Sequence, residues 1–173
     1  RMHQEGRLCA VSLAAFSRNR RGLEFQHRPR PVVPDPDRCE IVQSEAPAPT
    51  IRERYEQRPV ATPDSEFSTG GWIRLREPAA ADGALFTALC DAWPPPTLKR
   101  ALQDPGTVSL GLPTVELTLH FRGEFPLAGA RPDDFYLTLF RSNTARAGFV
   151  EEDGEIWSPD GTLAVSYTHL RAH

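Results

Sequence analysis

The chain has 173 residues and a formal net charge of -3, with 25% charged and 39% hydrophobic residues. That composition suits a globular protein of one ordinary domain or somewhat more rather than a disordered chain. A near-neutral charge without a basic patch disfavours a nucleic-acid partner, and no apolar run reaches the length of a bilayer span.

No apolar stretch of the secretory kind follows Arg1-Met2-His3-Gln4-Glu5. Cys9, Cys39 and Cys90 are odd in number and far apart, which is neither a disulfide framework nor a zinc spacing. A reducing, cytoplasmic location fits them. The short basic run Arg18-Asn19-Arg20-Arg21 reads as a solvated loop.

Gln4-Glu5-Gly6-Arg7 is a turn signal, and Leu8 to Phe16 is a run of small and apolar residues. Such a run fits a buried strand, with a short helix as the alternative by periodicity. Pro29, Pro31, Pro34, Pro36, Pro47, Pro49, Pro59 and Pro63 then crowd one segment, which predicts a long extended connector. Within it, Thr50 to Gln57 reads as a helical turn or two, or as a polar edge strand.

Gly71 to Arg76 alternates, with Trp72, Arg74 and Arg76 on one face and Ile73 and Leu75 on the other. Asp82 is a helix N-cap residue, and the helix is expected over residues 83–93, ended by Pro94-Pro95-Pro96. Leu85, Phe86, Leu89, Cys90 and Trp93 share one face, and Ala84, Ala88 and Ala92 line another. A helix apolar or small nearly all round is expected to be buried. Asp91 is its one charged residue, placed where burial and the helix dipole both disfavour a carboxylate. It is either a functional carboxylate or a solvated residue of the last turn, and both readings stand.

A loop or broken helical turn over 98–106 and a short strand-like piece over 108–112 follow. Val115, Leu117, Leu119 and Phe121 then alternate with Glu116, Thr118, His120 and Arg122, the pattern of a half-buried antiparallel strand. Further strands are expected over 135–140 and over 148–157, the latter bulged near Asp153-Gly154. Ser158-Pro159-Asp160-Gly161 is a type I turn signal, and Thr162-Leu163-Ala164 opens a final strand. One helix followed by a run of antiparallel strands predicts an α+β sheet wrapped around a single helix.

Several of these stretches carry a resemblance. They are Gly-Gly-Trp-Ile-Arg-Leu-Arg, Leu-Cys-Asp-Ala-Trp-Pro-Pro, Pro-Thr-Val-Glu-Leu-Thr-Leu-His-Phe-Arg and Gly-Phe-Val-Glu-Glu-Asp-Gly-Glu-Ile-Trp-Ser-Pro-Asp-Gly. Together they resemble the C-terminal half of the acyl-CoA thioesterase II family, which has a double hotdog fold. The resemblance implies a second hotdog over 66–164. It makes 1–18 a strand remnant of a first hotdog and 19–65 the linker between the two. It implies an acyl-CoA substrate, neither metal nor cofactor, no membrane, and a homo-oligomer at full length. In the family an Asp, a Thr or Ser and a Gln hold a water against the thioester carbonyl. Asp91 matches the first and Thr114 the second, while the Gln position falls near His169.

Val165 to His173 (Val-Ser-Tyr-Thr-His-Leu-Arg-Ala-His) resembles a translated transposase-end sequencing adaptor. These residues are expected to be an assembly artefact, so that Tyr167, His169 and His173 are not read as chemistry and the fragment is inactive. A thioester needs a nucleophilic water and a stabilised oxyanion; a carboxylate serves as base and a hydroxyl fixes the water. The other candidates read as structural. His120 is a packed or solvated residue, and Glu151, Glu152, Asp153 and Glu155 form a solvated edge. Glu116 and Arg122 are cross-strand partners, and Trp72, Trp93 and Trp157 are core or subunit contacts. A non-catalytic acyl-binding or scaffold hotdog is the alternative function. A dehydratase-type hotdog is the weaker third, for want of a catalytic His outside the tail.

Overall fold

The computed structural model of the chain describes residues 1–18, 21–42, 51–62, 66–98 and 112–172. The chain opens with a small hairpin, β1 (Met2–Gln4) and β2 (Arg7–Ala10), turned at Glu5 and Gly6. Both turn residues have positive φ, as a two-residue hairpin turn requires. The apolar run does not form the buried strand expected over 8–16. Its strand ends at Ala10, and Leu13 and Phe16 are 95% and 94% exposed. Apolar composition signals burial only where a facing surface exists, and none of the described residues provides one here.

The main sheet has six antiparallel strands in the order β3-β4-β6-β7-β8-β5. They are β3 (Tyr55–Pro59), β4 (Ser68–Leu75), β5 (Thr114–Phe121), β6 (Tyr136–Arg146), β7 (Phe149–Trp157) and β8 (Leu163–Ala172). One helix, α1 (Gly83–Leu89), lies against one face. Ile73, Phe86, Leu89, Tyr136, Phe140, Ile156 and Val165 form the core between them. Phe86 meets Phe125 and Tyr136 edge-on, with ring centroids 5.0 and 4.9 Å apart. This is the hotdog arrangement that the pattern predicts.

The helix is shorter than its apolar pattern suggested. Asp82 caps it as expected, its Oδ1 accepting the Leu85 N–H at 2.9 Å. Beyond Leu89 the bonds tighten: Asp91 N–H reaches Ala88 O at 3.4 Å and Ala92 N–H reaches Leu89 O at 3.3 Å. Trp93 precedes a proline and is steered out of helical geometry. Nor is the helix buried all round, because Ala84, Thr87 and Ala88 face outward.

The Pro-rich segment is more than a spacer. Its described residues 26–39 lie against the outer face of the sheet, where Trp72, Leu137 and Trp157 form a second core with Val33, Cys39 and Val60 packed on it. Gln26 Nε2 donates to Gly161 O at 3.0 Å, and Trp72 Nε1 to Pro34 O at 2.8 Å. Both readings of the 50–57 stretch appear in succession: a 3-10 turn at Arg52–Arg54, then the edge strand β3. Buried Glu56 on β3 is held by Arg58 and Arg74, whose hydrogen bonds outweigh the cost of its burial and keep its pKa low. Gly70 and Gly71 let β4 pair tightly on both sides. A Cβ would lie 2.1 Å from Thr138 O at the first and 2.2 Å from Arg58 O at the second.

Other expectations need amendment. The irregularity between β6 and β7 lies between Arg141 and Thr144 of β6, across from the predicted bulge at Asp153-Gly154. The acidic run is not a solvated edge, because β7 is central: Glu152 is buried and Glu155 pairs with Arg28 and Arg141. Arg122 donates to Ser166 Oγ, and Glu116 accepts from Thr118, so these two are not partners of one another. The three tryptophans are buried in the two cores. The Ser158–Gly161 turn closes as predicted, Gly161 N–H donating to Ser158 O at 3.0 Å. The strand-like piece over 108–112 and the loop over 98–106 lie almost entirely outside the described residues. Among those residues no helix is long and apolar enough to cross a membrane.

Candidate functional site

The predicted site residues come together at one end of β8. This strand lies between β7 and β5, and alternation sends Val165, Tyr167, His169 and Arg171 to the helix side. The inward face thus passes from apolar to polar along its length. Any sequence held in this register would present position 169 at the same place, because backbone pairing sets the facing.

Thr114 reaches that place through a bulge. Straight alternation from Leu117 would turn Thr114 to the opposite face, together with Glu116. The pairing shifts between Thr114 and Glu116, so Thr114 is opposite Arg171 while Glu116 is opposite Leu170. The extra residue, Val115, is 54% exposed. The bulge re-aims Thr114, whose Oγ1 lies 2.8 Å from His169 Nε2.

Asp91 sits two residues past the end of α1, in the tightened turn. Of the two readings of Asp91, its exposure fits the solvated residue of the last turn: its side chain is 50% exposed and its Oδ1 accepts from Arg171 Nη2 at 2.5 Å. Arg171 also donates through Nε to Glu152 Oε2 at 2.8 Å and through Nη1 to Leu112 O at 3.2 Å. Glu152 lies directly across from His169, with Oε2 3.5 Å from His169 Nδ1. Thr114 and Asp91 are therefore joined through His169, Glu152 and Arg171, with the first two residues open to solvent and the rest forming a buried floor.

The charges of this floor are coupled. Burial raises the pKa of Glu152, opposed by the Arg171 hydrogen bond and charge and reinforced by Asp91. Burial, then the Arg171 charge, lowers His169 to about 4, so its imidazole is neutral at neutral pH. Burial also works against the charge on Arg171, but Glu152 and Asp91 outweigh it and raise its pKa. Among the described residues, Glu152 Oε1 and His169 Nδ1 are buried without a hydrogen-bond partner. A half-exposed carboxylate and a hydroxyl at the rim of such a floor suit the holding of a water molecule against an electrophile.

Sequence reasoning missed Glu152 by reading its run of carboxylates as one edge. The signal was present in the alternation Val150, Glu152, Gly154, Ile156, which shares a face with a core residue. The side chains of Arg171 and His169 were set aside with the tail.

The profile of the family described as "Acyl-CoA thioesterase C-terminal domain" matches residues 26–171, from the Pro-rich segment to β8. In shape the chain is similar to a conserved protein of unknown function with a hot dog fold from Alicyclobacillus acidocaldarius, at 24% identity and a TM-score of 0.70. It is also similar to an acyl-CoA thioesterase II from Mycobacterium marinum, at 18% identity and a TM-score of 0.58. Each likeness covers 89% of this chain and 58% of the other, so the chain spans under two thirds of the length of these relatives. At these identities the likeness speaks for the fold. No curated protein matches the chain.

Proposed function

Because the chain belongs to the acyl-CoA thioesterase C-terminal domain family, we propose that its site hydrolyses an acyl-CoA thioester, with Asp91 as general base and Thr114 orienting the water. Arg171 occupies Asp91 Oδ1, which leaves Oδ2 to take a water proton. The water oxygen bonds to the thioester carbonyl carbon, the carbon–sulfur bond breaks, and the proton passes on to the departing thiolate. The observation that carries the reading is the bulge, which turns Thr114 into the cluster that also holds Asp91. A cytoplasmic setting and assembly with further copies at full length belong to the same reading.

The family resemblance places a Gln near position 169, which carries His here, and we take 169 as that position. We propose that residues 165–173 are adaptor-encoded, and that the chain with His169 hydrolyses acyl-CoA slowly. One observation favours a second reading, a non-catalytic acyl-binding hotdog: the Arg171 guanidinium is ion-paired to the proposed base. The test is Asp91→Asn in a His169→Gln background. Loss of a general base should lower acyl-CoA hydrolysis by about 10²-fold or more. Unchanged turnover in a folded variant favours the binding module.

A further inference from the structure

Glu152 is the one carboxylate on the floor of the cluster that the proposed reaction leaves without a task. It is 3% exposed, on a central strand, in direct cross-strand register with position 169. Burying a carboxylate is costly unless its charge is matched. Arg171 Nε engages only Oε2, and Oε1 has no partner among the described residues. A simple counter-ion for Arg171 would gain more by presenting both oxygens to the guanidinium.

The chemistry of the carboxylate suggests a second task. An ionised carboxylate only accepts hydrogen bonds. The side chain at 169 has Nε2 2.8 Å from Thr114 Oγ1, while its buried Nδ1 makes no hydrogen bond among the described residues and has as a near carboxylate oxygen Glu152 Oε2, 3.5 Å away and shared with Arg171. We infer that Glu152 is a positioning residue, which draws the donor end of the side chain at 169 toward itself and leaves the acceptor end for the Thr114 hydroxyl. For His169 the proton then sits on Nδ1, and the bare Nε2 accepts from Thr114. For Gln at 169 the same rule points the amide NH₂ at Glu152 and the amide oxygen at Thr114. In either case the Thr114 proton is directed inward and its lone pairs face the open side, ready to accept from a water. The catalytic value of this arrangement rests on the thioesterase reading; the orientation itself does not.

Nitrogen-15 spectroscopy of histidine-labelled full chain at neutral pH tests the orientation without any activity. The signal of His169 is assigned by its loss in His169→Gln. The expected spectrum is an Nδ1–H neutral imidazole, whereas Nε2–H or a cationic ring in the wild type overturns the inference. Arg171→Met should keep Nδ1–H, because Glu152 remains. The double variant Glu152→Met with Arg171→Met strands no buried cation and should move His169 to mainly Nε2–H. An unchanged tautomer there assigns Glu152 to Arg171 alone and also overturns it. If that variant does not fold, Glu152→Gln replaces it: its amide both donates and accepts, so a mixture of tautomers is expected and an unmixed Nδ1–H signal overturns the inference. In the His169→Gln background, Glu152→Gln should lower kcat roughly tenfold to a hundredfold with little change in KM. Glu152→Asp should recover part of that loss. If the spectra behave as stated while Asp91→Asn leaves turnover intact, the thioesterase reading fails and the orientation stands.

Discussion

Lowering the pH from 7 to 5 should weaken this fold through one ring, and His169→Gln should remove that weakness. The His169 side chain is 0% exposed and lies among Thr114 of β5, Glu152 of β7, and Arg171 and Asp91, the charged pair beside it. Burial first and the Arg171 charge second lower its pKa from 6.5 to about 4, with Asp91 acting in the opposite sense. The folded state therefore resists a proton that the unfolded chain accepts. Stability from the neutral ring is complete above about pH 6.5 and is lost as pH falls toward 4. With these two values, linkage gives a loss of about 2 kcal/mol at pH 5. Glu152 works in the opposite direction: its raised pKa means that protonation relieves a buried charge as pH falls. Glu56, whose pKa is lowered, loses stability in acid with or without His169. The comparison between the two proteins isolates the ring. Urea unfolding followed by fluorescence of the buried tryptophans, at both pH values, should show wild type losing about 2 kcal/mol more than His169→Gln. Equal losses in the two proteins would refute a buried neutral imidazole at this position.

Two further outcomes concern the scaffold. Phe86 is 0% exposed and central to the helix-side core, so Phe86→Ala should cost about 3–5 kcal/mol in chemical denaturation; a loss below 1 kcal/mol would mean that the helix is not the centre of the sheet. Leu13, Phe16, Leu23 and Phe25 are 95%, 94%, 88% and 77% exposed, which favours self-association of the chain as given. Size-exclusion chromatography with light scattering should find species above the 19.3 kDa monomer, reduced by Leu13→Lys with Phe16→Lys. A monomer at high concentration contradicts this.

The signals that read correctly in one dimension are those whose causes lie within a few residues. Asp82 caps α1 because its own side chain reaches the Leu85 N–H. The Ser158–Gly161 turn closes on itself. The alternation of Trp72 against Ile73 shows in their separate cores, because side chains of any strand alternate between faces. From such local facts came the helix and the antiparallel strands; they also singled out Asp91, whereas Thr114 became a candidate only through the family resemblance.

The tertiary structure decided what depends on a neighbour. Helical periodicity over 83–93 did not reveal that the chain tightens after Leu89, and that turn is what leaves Asp91 at the rim. Prolines predicted an extended segment but not the Trp72 indole that it crosses. Leu8 to Phe16 had the composition of a buried strand without a described surface to bury it. Glu152 had the charge of an exposed residue, yet β8 covers it on one side and β6 flanks its strand on the other. Thr114 faces His169 only because one extra residue in β5 shifts its pairing with β8. Local sequence determines which way a residue can point; only the partner strand, with its register, decides what it points at.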